Sequence, residues 1–258
     1  NWTTLKHEPF PLPPLDQQRR IAEILWAVDE VVSALRNTEE NLSEALDVLR
    51  DETIYGRQRS SEWSEKRIAD ITKLVTKGES PGWQGFKYGE TGVRFITSEN
   101  VHRDQLDVEP AKFIPEEFHK KLSRSSVESN DVLLTLVGGS LGRACIMPEG
   151  LGPSNVNQAV AVVRADYSQV LPEYILSSLQ SPTGFSRLLA ARVETFKANI
   201  SLGTIREFQI SVPPVAFQEQ FCGRVSALKD TRLKVQSNLE VSNNLASELL
   251  NQIMEDSA

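Results

Sequence analysis

Leu12-Pro13-Pro14-Leu15-Asp16-Gln17-Gln18-Arg19-Arg20-Ile21 decides how this chain is parsed, because it occurs twice. At an offset of 200 positions it returns as Val212-Pro213-Pro214-Val215-Ala216-Phe217-Gln218-Glu219-Gln220-Phe221. The echo starts earlier, with Thr4-Leu5-Lys6 against Thr204-Ile205-Arg206. It continues without a gap through Ala27/Ala227, Val28/Leu228, Leu35/Val235 and Leu49/Leu249. A repeat at fixed spacing fixes how the rest is read, so the chain looks like one period of a longer architecture.

Each copy introduces a helix. Two consecutive prolines cannot lie inside a helix, and Asp16 stands where an N-cap is expected. Beyond it Ile21, Leu25, Val28, Val32, Leu35, Leu42, Leu46 and Leu49 follow a three-four spacing, broken near Glu39, and Gly56 is a natural stop. The second copy repeats the stripe with Phe221, Val225, Leu228, Val235, Leu239, Leu245, Leu249 and Ile253. Roughly 40 residues make a rod of about 60 Å at 1.5 Å per residue. A polar helix with a narrow apolar stripe is unstable alone, so each rod is expected to pair with the other as an antiparallel coiled coil. Leu35, Leu42, Leu49, Val235, Leu239 and Leu249 are the expected pairing positions. Two separate surface helices are the alternative.

The intervening segment has another texture. A short helical stretch is expected at Lys66–Ile71. A loop-rich region with Gly78, Pro81, Gly82, Gly85, Gly89 and Gly92 follows. Strands are expected at 93–96, 131–137, 143–147 and 159–163, and Pro115 and Pro172 mark first helical turns. The expected class is α+β: one mixed α/β domain at 63–212 between long helices at 15–56 and 213–256, with 1–14 ending a preceding domain. Because the chain begins at Asn1, a segment upstream is expected to have been removed.

Composition narrows the function. The net charge is -7, against a simple sticky binder of nucleic acid. Residues 1–60 carry 7 basic and 11 acidic side chains, whereas 61–200 carry 16 and 17, so the acidity sits in the flanks. Two cysteines make neither a disulfide framework nor a zinc spacing, which suits a reducing cytoplasm. No apolar run is long enough for a membrane span. Gly138-Gly139-Ser140-Leu141-Gly142 lacks the ending of a P-loop and the spacing of a dinucleotide fold. His7, His102 and His119 share no ligand spacing, and no nucleophile elbow is present. No catalytic residue, metal site or cofactor is expected.

The remaining polar loops suit recognition. Gly139 and Ser140, with Arg143 after them, allow a backbone to approach a phosphate closely. Asn155, Asn157 and Gln158 form an amide cluster, and amides read adenine bidentately. Lys197, Asn199 and Ser201 form a second cluster. Each also fits a tight turn or a cap.

With the repeat, the Pro-Pro-x-x-x-Gln helix starts and the intervening domain in view, the chain resembles the specificity subunit of type I restriction-modification systems, and specifically its C-terminal half. The resemblance covers nearly the whole sequence. It rests on Leu12–Ile21, Trp63–Ile71, Gly78 with Pro81, Asn130–Leu134, Gly138–Gly142, Asn157-Gln158-Ala159 and Asn199-Ile200-Ser201. It implies a non-catalytic target recognition domain that reads half of a bipartite site in double-stranded DNA. The helices would set the spacing and dock methyltransferase (modification) subunits and the restriction subunit. Expected DNA contacts are Lys77, Ser80, Asn100, Gly139, Ser140, Arg143, Asn157, Gln158, Lys197 and Asn199. A full subunit of this family has two recognition domains and this sequence has one, which implies a missing first domain or a homodimer. Two alternatives remain: a coiled-coil adaptor with a protein-binding domain, and the recognition end of a fused methyltransferase-nuclease.

Overall fold

The computed structural model describes residues 14–56, 60–192 and 198–255. In chain order the elements are α1 (Leu15–Ile54), β1 (Ser64–Arg67), β2 (Thr72–Lys77), β3 (Val93–Ile96), β4 (Phe113–Ile114) and α2 (Glu116–Lys121). Next come β5 (Ser126–Val127), β6 (Val132–Thr135), β7 (Ala144–Ile146), β8 (Ser154–Val156) and β9 (Val160–Ala165). The last are α3 (Pro172–Gln180), α4 (Pro182–Ala190), α5 (Leu202–Glu207), β10 (Gln209–Val212) and α6 (Val215–Glu255). The described residues divide into two compact units, one within 14–46 and 226–255 and the other within 47–225.

The first unit is the helix pair. Along α1 the positions withdrawn from solvent include 18, 21, 25, 28, 32, 35, 39, 42 and 46. Along α6 they include 228, 232, 235, 239, 242, 246 and 249. Both runs alternate steps of three and four, the heptad seam of a coiled coil, and they keep the 200-residue phase. Of the six expected pairing positions, Leu35, Leu42, Val235, Leu239 and Leu249 lie on these runs, each half-buried, while Leu49 falls in the second unit. Glu39 does not break the stripe; it occupies a seam position. Its Oε1 accepts from Gln236 Nε2 at 2.9 Å and lies 3.6 Å from Arg232 Nε. The two helices run antiparallel through this contact.

The second unit is built on sheets. β2-β9-β6-β7 form an antiparallel sheet and β4-β3-β8-β5 a mixed one, with β3 and β8 parallel. Ile96, Val127 and Val156 from the mixed sheet join Leu133, Cys145, Val160 and Val162 from the antiparallel sheet in one buried cluster. The strands of that core are apolar at nearly every position because both faces are covered, α3 packing on the outer side of β6, β7 and β9. The helical stretch expected at 66–71 is instead strand up to Arg67 followed by a single 3-10 turn at Ile68–Asp70. Lys66 and Arg67 pair with Ile210 and Gln209 of β10, and this ladder outweighs local helix preference. Asp16 lies within α1, one residue past its start, because Pro14 itself supplies the first carbonyl, to Gln18 N at 2.9 Å. Pro115 caps α2 from outside and Pro172 opens α3.

The repeated glutamine has a structural reason. Gln218 is fully buried. Its Oε1 accepts from Leu171 N at 2.8 Å, and its Nε2 donates to Gln169 O and Pro213 O, each at 2.9 Å. It ties the start of α6 to the approach to α3. Gln218→Ala is expected to cost about 1–3 kcal/mol, since Leu171 N–H is left buried without its acceptor. Urea unfolding measures it.

The last two turns of α1 belong to the second unit and are clamped there. Arg50, with no exposed side-chain surface, meets Asp104 in a bidentate pair at 2.9 and 2.5 Å and donates to Ser177 Oγ at 3.3 Å. Burial opposes the charge, but the hydrogen bond and charge of Asp104, with Glu173 and Asp47 nearby, hold the Arg50 pKa above its usual value. Asp51 accepts from Thr183 N and Oγ1 at 2.8 and 2.9 Å, and Tyr55 donates to Ser178 O at 3.0 Å. Arg103 reaches Asp47 and donates to Gln180 O at 2.7 Å.

Candidate nucleic-acid interface

The strand ends of the antiparallel sheet decide where the polar loops gather. Lys77 at the end of β2 pairs with Ala161, Thr135 at the end of β6 pairs with Val160, and Leu134 pairs with Ala144 at the start of β7. All three junctions lie at one end of the sheet. Leu136 N donates to Ala159 O at 2.7 Å and Leu136 O accepts from Ile200 N at 2.9 Å, while Val137 bridges Asn199. Loops spread over more than a hundred residues of sequence thereby gather together: 77–84, 138–143, 157–158 and 198–202.

Eight of the ten expected contact residues fall on this end. Lys77 is exposed and Ser80 half-buried on the first loop, and Gly139 and Arg143 are exposed on the second. Ser140 carries its carbonyl to Thr135 Oγ1 and Arg143 N, forming the turn that presents Gly139. Asn157 Oδ1 accepts from Ala159 N at 3.0 Å, while Gln158 is exposed. Asn199 lies in the bridge to Val137. Lys197 lies outside the described residues.

Two amides turn out to be structural. Asn100 is 6% exposed, and its Oδ1 accepts from Thr97 N and Oγ1, closing a turn. Asn155 is fully buried between His119 Nδ1 and Leu122 O. Neither faces solvent with the cluster at 157–158. Ser201 is the N-cap of α5, accepting from Thr204 N at 2.9 Å.

The loops surround a cleft of about 480 Å³ lined by Thr76, Lys77, Gly78, Glu79, Ser80, Trp83, Gln84, Arg124, Gln158 and Leu202. Gly78 is required there, because a Cβ would stand 1.6 Å from Val156 O. Trp83 projects from the lip, 87% exposed. Arg124 bonds Glu79, Glu79 accepts from Gln84 Nε2 at 2.8 Å, and Gln84 accepts from Lys121 Nζ at 2.6 Å. This chain of bonds orders two basic side chains beside the exposed Lys77. Arg124 and Lys121 carry no sequence signal of their own, since they are 45 and 37 positions from their partners. Trp83, alone among glycines and Pro81, could have been singled out.

The opposite end of the sheet has a second cavity of about 380 Å³, lined in part by Lys73, Glu128, Asn130, Asp131, Arg164 and Tyr167. Its arginine is already neutralised. Arg164 makes a bidentate pair with Asp131 at 2.8 Å in both arms and meets Glu128 at 2.6 Å. The two ends differ in how their cations are held: Lys77 and Arg143 stand exposed on the loops of the first, whereas Arg164 of the second is locked between two carboxylates. Among the described residues no group of histidine, cysteine and acidic side chains could hold a metal, and no helix is long and apolar enough to cross a membrane.

No family model matches the sequence. The type I restriction enzyme EcoBI specificity subunit of Escherichia coli is 23% identical over 275 aligned positions, covering 96% of this chain and 58% of that protein. The MjaVIII specificity subunit of Methanocaldococcus jannaschii is 22% identical over 233 positions, covering 85% of this chain and 55% of that protein. Among solved structures, the type I restriction-modification S subunit from M. genitalium superposes with a TM-score of 0.61 at 14% identity, covering 93% of this chain and 61% of that one. The chain thus spans a little over half the length of the curated relatives it matches. The chain is thus similar in sequence to specificity subunits of type I restriction enzymes, and similar in fold to a solved type I restriction-modification S subunit.

Proposed function

We propose that this chain recognises one half of a split target in double-stranded DNA and carries no catalysis itself. The observation that carries the reading is the convergence of Lys77, Arg124, Arg143, Gln158 and Trp83 at one end of a single sheet. Cations on loop backbones hold phosphates, which position a protein on the duplex without reading it. An exposed amide such as Gln158 reads base edges. The resulting division of labour assigns Lys77, Arg124 and Arg143 to the backbone and Gln158, with Asn157 behind it, to the bases. Ser80, Gly139, Ser140 and Asn199 shape the loops between them.

The net charge of -7 fits this reading once it is divided by segment, since rods that contact protein have no need to be basic. Trp26, Val31, Leu233 and Val241 leave the helix pair at least half exposed, and they offer an apolar surface to methyltransferase and restriction subunits. The segment 63–212 would be the reading domain and the helices the spacer that sets its distance from a second one.

The test is binding by the chain assembled with its modification subunit, measured across a panel of duplexes. Gln158→Ala is expected to relax preference at one base position by about 1–3 kcal/mol while leaving nonspecific affinity in place. Unchanged preference at every position would remove this loop from readout.

A further inference from the structure

We infer that Glu39 and Arg232 form a selector in the helix seam, which admits an α6-type helix opposite α1 and rejects a second α1. The pair occupies one layer: Arg232 Nε lies 3.6 Å from Glu39 Oε1, to which Gln236 Nε2 donates at 2.9 Å. Counting the antiparallel heptads outward places Leu35 opposite Val235 at the centre and Val32 opposite Leu239 beyond it. The 200-residue phase makes Val32 the counterpart of Arg232, and Leu239 the counterpart of Glu39. Two layers related by the internal symmetry thus carry different chemistry, one charged and one aliphatic.

That asymmetry has a consequence for partners. Two α1 helices in the same register would set Glu39 against Val32 twice. Two α6 helices would set Arg232 against Leu239 twice. Each arrangement withdraws a charge from water without an opposite charge, and only the unlike pair satisfies both. The selector is needed because the rest of the α1 seam is aliphatic from Ile21 to Leu35 and would pair well with itself. The admitted helix comes from the same chain or from a second copy, and particle size distinguishes the two sources.

The test is charge reversal in the full chain, read by thermal unfolding of the helix signal and by hydrodynamic size. E39R and R232E alone are each expected to lower the midpoint by about 4 °C, and E39R/R232E is expected to regain it. A second variant reports like pairing directly. Position 35 meets its own copy when two α1 helices pair, so L35C in a C222S background cross-links only in that arrangement. Mild oxidation should give no covalent dimer while Glu39 and Arg232 are present, and a covalent dimer when E39V/R232V is added. A double reversal as unstable as the weaker single variant would overturn the proposal, as would equal L35C dimer yield with and without the charged pair.

Discussion

Arg50→Ala is expected to destabilise the sheet-bearing unit by about 3–5 kcal/mol, the cost of breaking a buried, bidentate ion pair from one side. Asp104 has 3% of its side chain exposed and spends both carboxylate oxygens on Arg50. It also sits at φ 65°, a left-handed conformation that asparagine tolerates, so removal of the charge need not disturb the turn. Arg50→Met combined with Asp104→Asn should therefore cost clearly less than Arg50→Ala alone. Urea unfolding of the three proteins measures the difference. An Arg50→Ala protein within about 1 kcal/mol of the parent would mean that the clamp on α1 is held by Asp51 and Tyr55 instead. The result matters for function because this clamp fixes the last turns of α1 to the sheets that carry the loops.

Lys77→Ala combined with Arg124→Ala is expected to weaken DNA binding about equally for every sequence. The slope of log affinity against log salt should fall by about 2, close to one for each phosphate no longer neutralised. The signature separates positioning from readout: Gln158→Ala changes the ranking of sequences, whereas the double variant lowers all of them. Arg124 also holds Glu79, so its loss frees a carboxylate at the lip of the cleft and adds repulsion. A Glu79→Gln background removes that repulsion and leaves the phosphate effect alone. An unchanged salt slope would take the cleft out of the DNA interface.

The legible part of the sequence is the part with a short period. The three-four stripe and the Pro-Pro-x-x-x-Gln phrase are local, so both long helices and their pairing follow from spacing. The central strands at 132–135, 144–146 and 160–165 show as apolar runs because both of their faces are covered. Glu39 looks like an interruption in the stripe because its meaning depends on Gln236, 197 positions away. Asn100 and Asn155 look like amides free to meet DNA. Burial is a property of the packed sheets, and nothing beside those residues signals it. β2 is hidden between a 3-10 turn and a glycine-rich loop, although it supplies Lys77 and the edge of the cleft. The candidate face itself is half legible. Residues on tight loops stand out, while Arg124 and Lys121 become visible only when the fold brings them to Glu79 and Gln84.

The proposed function requires this chain to direct where DNA is modified. Mapping of modified bases in a host that carries the partner modification gene, with and without this chain, tests it most directly. A split motif modified only when the chain is present, and altered or lost with Gln158→Ala, is the expected result. A modification pattern that is the same with and without the chain would contradict the account.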